Sequence, residues 1–163
     1  MRAGGAADRA RIAMINREGQ PGVNALLAQE LDACLSRATL FRVAELGGAV
    51  AGYLIAFAAG FTAIGDEYAW FSARHPSFLY VDQVAVAADA WRRGVGAALY
   101  ADLEREARER AVPVLVCEVN LRPPNPRSLA FHARLGFAEA DQLEVSDGRR
   151  AALLERALAH SPR

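Results

Sequence analysis

Phe78-Leu79-Tyr80-Val81-Asp82-Gln83-Val84-Ala85-Val86, followed by Ala87-Ala88-Asp89-Ala90 and Trp91-Arg92-Arg93-Gly94-Val95-Gly96-Ala97, is the stretch on which the fold turns. Its first nine residues are β-rich and apolar apart from Asp82 and Gln83, which predicts a central strand buried on both faces. Beyond the glycines a helix is expected to about Arg110, with Val95, Leu99, Leu103 and Ala107 every fourth residue and charges elsewhere. A strand that passes through Arg-Arg-Gly-x-Gly into a helix has a plain physical use. Glycine lets the backbone come close to a ligand, and the N–H groups of the first helical turn point at it. With the helix dipole and Arg92 and Arg93 beside it, the loop suits a phosphate or pyrophosphate. A tight turn with two solvated arginines would read the same locally, so the loop alone leaves both readings open.

Composition narrows the ligand. The 163 residues carry 19 basic and 19 acidic side chains, and every basic one is arginine. A P-loop needs a lysine after its glycines, and the chain has none. A dinucleotide fold needs a third glycine where Leu99 stands, and needs the loop after its first strand. Zero net charge argues against nucleic-acid binding through a broad basic face, and no apolar run is long and clean enough to span a bilayer. Cys34 and Cys117 are too few for a disulfide framework, and the start lacks a secretory pattern, so a cytoplasmic location is expected. His75, His132 and His160 show no ligand spacing, so no metal is expected.

The length suits a single domain over residues 1–163, with Met1 to Ala10 loose. Pro21 to Leu35 reads as a helix with Val23, Leu26, Leu27, Leu31 and Leu35 on one face. Leu40–Leu46, Gly47-Gly48 and Ala49–Ala59 read as a hairpin. Gly60 to Ser77 reads as a partly helical excursion, and Pro113–Val119 as a buried strand. Asn125-Pro126 starts a helix that Gly136 ends. Phe137–Val145 and Arg150–Leu158 flank Asp147-Gly148 as a closing hairpin. The layout is mixed α/β, a largely antiparallel sheet with strand–helix–strand units in its second half.

Trp91-Arg92-Arg93-Gly94-Val95-Gly96 resembles the acetyl-CoA signature Gln/Arg-x-x-Gly-x-Gly/Ala of the GNAT superfamily of N-acyltransferases. Asn125, Ser128-Leu129-Ala130-Phe131-His132 and Leu135-Gly136-Phe137 are similar to the family's Asn-x-x-Ala…Phe-Tyr-x-x-x-Gly-Phe segment, at matching spacing and in the family's order. Tyr80-Val81-Asp82 and Cys117 to Pro126 are similar to a largely uncharacterised bacterial branch of acetyltransferases. Two departures stand out: Trp91 replaces Gln/Arg, and His132 replaces the tyrosine that usually protonates the departing thiolate.

The resemblance implies a twisted, mostly antiparallel sheet flanked by helices, and direct transfer of an acetyl group from acetyl-CoA to a small-molecule or peptide amine in a ternary complex, with a homodimer possible. It implies that the backbone of Arg92, Arg93, Gly94, Val95, Gly96 and Ala97 holds the pyrophosphate. Val84, Ala85 and Val86 would lie along the pantetheine, with Asn125, Ser128 and Phe131 adding contacts to the cosubstrate. An acidic residue in an apolar strand is costly unless paired or functional. Glu118, favoured, and Asp82 are therefore candidate bases, against ion pairs to arginine as the alternative. His132 is either the acid for the thiolate or a ring that hydrogen-bonds the cosubstrate or its own helix end. Cys117 reads as a small buried hydrophobe rather than a nucleophile. Tyr68, Trp70, Phe71 and Tyr80 wall the acceptor or build the core. The competing reading is a catalytically impaired acyl-CoA-binding sensor or structural protein.

Overall fold

A computed structural model describes residues 1–62 and 64–159. In chain order the elements are β1 (Arg2–Ala3), α1 (Arg9–Gly19), α2 (Ala28–Arg37), β2 (Leu40–Leu46), β3 (Ala49–Ala58), α3 (Asp66–Ser72), β4 (Leu79–Val86), α4 (Val95–Glu109), β5 (Val114–Arg122), α5 (Pro126–Arg134), β6 (Ala138–Glu144) and β7 (Arg150–Ala157). The strands follow the order β1-β2-β3-β4-β5-β7-β6, with β4 and β5 parallel and the sheet otherwise mostly antiparallel. The mixed α/β architecture is the one expected. The chain divides into two compact units, Met1–Phe57 with Asp82–Leu103 and Ala58–Val81 with Glu104–Arg163.

In the first unit, Gly47 and Gly48 take φ of 60° and 81°, the left-handed pair that joins twisted strands with two residues. Leu46 pairs with Ala49, and β3 is buried from Val50 to Phe57. Gly52 is required there. A Cβ on it would lie 2.9 Å from the Ala85 carbonyl and 3.0 Å from Val95 Cγ1, so glycine lets α4 press onto the strands. Val95, Leu99 and Leu103 are buried as the periodicity predicts.

Two expectations fail in this unit. Met1 to Ala10 is not loose: Arg2 and Ala3 pair with Val43 and Arg42, and Asp8 takes two 2.8 Å bonds from Arg2 and one from the Gly5 amide. These bonds set up α1, whose Ile12 and Ile15 are fully buried. Pro21 to Leu35 is not one helix, because α2 begins only at Ala28 and the residues before it run outside any helix. The cause is a buried polar cluster. Asn16 Oδ1 accepts the Leu26 amide at 2.9 Å, and Asn16 Nδ2 and Gln83 Nε2 both donate to the Asn24 carbonyl. Local hydrogen bonds of this kind compete directly with the helical pattern. On the expected apolar face Leu31 is buried, whereas Leu27 is 57% exposed.

In the second unit, Leu79–Val81 pairs with Leu115–Cys117 in parallel, and β5 pairs with β7 in antiparallel register from Val114↔Ala157 to Arg122↔Arg150. β5 runs three residues beyond the expected Val119. Tyr68, Phe71, Phe78 and Tyr80 pack edge-on or tilted and are almost wholly buried. Of the suggested aromatic wall, Tyr68, Phe71 and Tyr80 are core, and only Trp70 is half-exposed, with the Arg74 guanidinium 3.5 Å from its ring centre. β6 is exposed along nearly its whole length and carries Glu139, Asp141 and Glu144, the charges typical of a protected edge strand. Among the described residues, no helix is long and apolar enough to cross a membrane.

Candidate acetyl-transfer site

β4 is buried on both faces only over Leu79–Val81. From there burial alternates, so Asp82, Val84 and Val86 share a half-exposed face while Gln83 and Ala85 are buried behind it. The expectation of a strand buried throughout is thus corrected for its second half. Within the first unit that face leads into a 3₁₀ turn at Ala88–Ala90, then the glycine loop, then α4. Gly94 takes φ 80° and accepts the first helical bond, from the Ala98 amide at 2.9 Å. Arg92 takes φ 62°, a left-handed conformation that costs a residue with a Cβ about 1–2 kcal/mol. Arg92, Arg93 and Gly94 are exposed, and among the described residues neither arginine has an ion-pair partner. Two solvated cations and a helix N-terminus with its amides at the loop make a strongly anion-attracting group.

Behind the same strand lies the buried amide cluster. Tyr53 Oη donates to Gln83 Oε1 at 2.8 Å and accepts from Asn16 Nδ2 at 3.0 Å. Burial pushes the Tyr53 hydroxyl up, with the Asp82 charge adding to it, so Tyr53 is a neutral hydrogen-bonding group. Burial also pushes the Cys34 thiol up to about 11, again with Asp82 contributing, which leaves it unreactive at neutral pH. Sequence reading missed this cluster, because isolated Asn and Gln residues carry no spacing signal.

In the second unit, Glu118 is half-buried on β5, on the same face as Asn120 two residues on. Cys117 is buried between its neighbours on β4 and β7, as a small hydrophobe would be. The Asn125 side chain accepts the Ser128 amide at 3.2 Å and its backbone amide donates to the Asn120 carbonyl, so Asn125 is the cap of α5 as expected. Ser128 and Phe131 are half-buried on that helix.

His132 is 2% exposed, edge-on to the rings of Phe131 and Phe137. Its Nδ1 lies 2.8 Å from the Ser128 carbonyl oxygen. A carbonyl can only accept, so Nδ1 carries the hydrogen. Burial holds the ring's pKa below its ordinary value, with the Ser128 bond opposing weakly, and the ring is neutral at pH 7. His75 bonds Glu155 at 2.6 Å, and His160 lies outside the described residues.

A second cluster was not anticipated. Arg149 donates to Asn120 Oδ1 at 2.9 Å, Glu67 Oε1 at 2.9 Å and Asp147 Oδ2 at 2.7 Å, with Glu67 4% exposed. It fastens α3 and the β6–β7 turn to β5.

A model of the acetyltransferase (GNAT) family matches residues 13–137. The chain belongs to the GNAT acetyltransferase family. Solved structures with the same fold include the ribosomal-protein-S18-alanine N-acetyltransferase of Escherichia coli, at 18% identity over 99% of this chain and 94% of that one, TM-score 0.72. Naa20 of Chaetomium thermophilum, solved with a bisubstrate analogue, is 20% identical over 96% of this chain and 85% of that one, TM-score 0.78. YncA of Salmonella typhimurium, solved with acetyl-CoA, is 19% identical over 99% and 95%, TM-score 0.69. No curated protein matches the chain. In this GNAT acetyltransferase the glycine loop lies between β4 and α4, and Asn125 caps α5.

Proposed function

We propose that this GNAT acetyltransferase moves the acetyl group of acetyl-CoA directly to a primary amine of a small molecule or peptide, within a ternary complex. The supporting observation is the half-exposed Asp82–Val84–Val86 face running into a glycine loop with exposed Arg92 and Arg93 at the α4 N-terminus, neither of which has a carboxylate partner among the described residues. In this reading the amides of Gly94 to Ala97 and the two guanidinium groups hold the pyrophosphate. The β4 backbone at Val84 and Val86 lies along the pantetheine, where an N–H can donate to the thioester oxygen and stabilise the charge that develops on it. Asn125, Ser128 and Phe131 hold the arm from α5.

The acceptor amine is mostly protonated at neutral pH and must lose a proton before it attacks. We assign that proton to Glu118, with Asp82 as the second candidate. Either carboxylate can act directly or through one water. For His132, burial and the Nδ1–H bond to Ser128 favour the role of shaping α5 over that of acid. To give a proton to the thiolate, the ring would first have to become the imidazolium, the form that its burial disfavours.

Release of free CoA thiol with a panel of amines and short peptides tests the assignment. Glu118→Gln should lower kcat about 10²-fold or more with little change in acetyl-CoA affinity, and Asp82→Asn should do less. A larger loss in Asp82→Asn transfers the base role to Asp82. Tight acetyl-CoA binding with no turnover on any amine overturns the catalytic reading in favour of a sensor.

A further inference from the structure

Trp91 stands where the family signature carries Gln or Arg, and its ring is 42% exposed. An aromatic kept for its hydrophobic area would be buried, so the exposure directs attention to its one polar atom. The indole Nε1–H donates to the Val86 carbonyl at 2.9 Å. That bond joins the last residue of β4 to the first residue of the glycine loop across the Ala87–Ala90 turn. The strand end is held on its other side by the Ala87 amide, which donates to the Ala51 carbonyl at 2.8 Å. Within the turn the Ala90 amide reaches the Ala87 carbonyl at 2.9 Å, but the Trp91 amide reaches Ala88 only at 3.4 Å. The backbone alone therefore ties down Trp91 weakly. Directly after it comes Arg92 in its left-handed conformation, which persists only where the surroundings over-determine it.

We propose that Trp91 is a positioning residue for acetyl-CoA. Its N–H, clamped on the Val86 carbonyl, fixes the entry to the glycine loop so that the following amides and Arg92 and Arg93 meet the pyrophosphate. Gln and Arg also carry side-chain N–H donors on stems of similar reach, so all three residues can serve the same carbonyl. The inference rests on the acetyl-CoA reading above and assigns a role that the signature residue's identity alone does not.

Isothermal titration of Trp91→Phe and Trp91→Gln with acetyl-CoA tests it, alongside their melting temperatures and tryptophan emission. Phe keeps an aromatic ring and loses the donor; Gln loses the ring and keeps a donor. Trp91→Phe is expected to raise the acetyl-CoA Kd five- to tenfold, and Trp91→Gln to return it to within twofold of wild type. Acetyl-CoA should change the emission of the wild type and of Trp70→Phe, but not that of Trp91→Phe. Phe binding as tightly as wild type, or Gln binding as weakly as Phe, overturns the clamp while leaving the acetyl-CoA reading standing. A wild-type protein that takes up no acetyl-CoA overturns both.

Discussion

The imidazole of His132 titrates in the unfolded chain near its ordinary value of about 6.5, but in the fold burial holds it lower. Between those two values the unfolded chain binds more protons than the folded one, so stability rises with pH and is lost as pH falls through about 6.5. The wild-type melting temperature should therefore decline from pH 7.5 to pH 5.5, and His132→Phe should flatten that decline. A slope unchanged in the variant would mean that another group carries it. The same variant separates the two roles of the ring in turnover. An acid to the thiolate would cost about 10²-fold or more when removed, whereas a ring that shapes α5 should cost under about tenfold at saturating acetyl-CoA.

Among the elements, the connection between α1 and α2 depends most on a few polar atoms. Asn16 is 2% exposed and bonds the Leu26 amide, the Asn24 carbonyl, Tyr53 and Gln83. Asn16→Ala leaves several buried partners unsatisfied and should destabilise the protein by about 2–3 kcal/mol, read from urea unfolding. A loss below about 0.5 kcal/mol would show that the cluster is easily replaced. What the sequence made legible follows the same division between pattern and polar contact. The Gly47-Gly48 hairpin, the α4 stripe of Val95, Leu99 and Leu103, and the Asn125 cap of α5 rest on backbone preference and periodicity, and all were readable. The α1–α2 connection was misread as helix because its apolar spacing was helical, while the bonds that unwind it come from outside that spacing, from Asn16 on the preceding helix and from Gln83, 59 residues beyond Asn24. The Arg149 cluster was invisible for the same reason: Glu67, Asn120 and Asp147 meet only in three dimensions. The candidate site was legible where it is a contiguous motif, from Asp82 to Ala97, and His132's orientation was not, since a residue name does not say which nitrogen is engaged.

Across the whole molecule, charge is balanced largely by local pairing. Arg2 pairs with Asp8 and Glu45, Arg42 with Asp102, Arg105 with Glu109, Arg108 with Glu104, and Arg149 with Glu67. Arg92 and Arg93 stand outside these pairs. Zero net charge therefore conceals a concentrated positive spot, and binding of a multiply charged cosubstrate there should weaken with salt. The double variant Arg92→Ala with Arg93→Ala should raise the acetyl-CoA Kd about tenfold at low salt and flatten its salt dependence; an unchanged slope would remove the two guanidinium groups from the binding account. The division of the chain has a consequence of another kind, for its birth on the ribosome. The first unit takes Met1–Phe57 and is finished only by Asp82–Leu103, with Ala58–Val81 belonging elsewhere. The β2–β3 hairpin thus leaves the exit tunnel before the strand and helix that complete its unit, and at about 5–20 residues per second it waits on the order of seconds with β3's apolar residues uncovered. Nascent chains stalled before α4 should accordingly be protease-sensitive and chaperone-bound, and the earliest moment of protection should coincide with emergence of the very segment that carries the glycine loop.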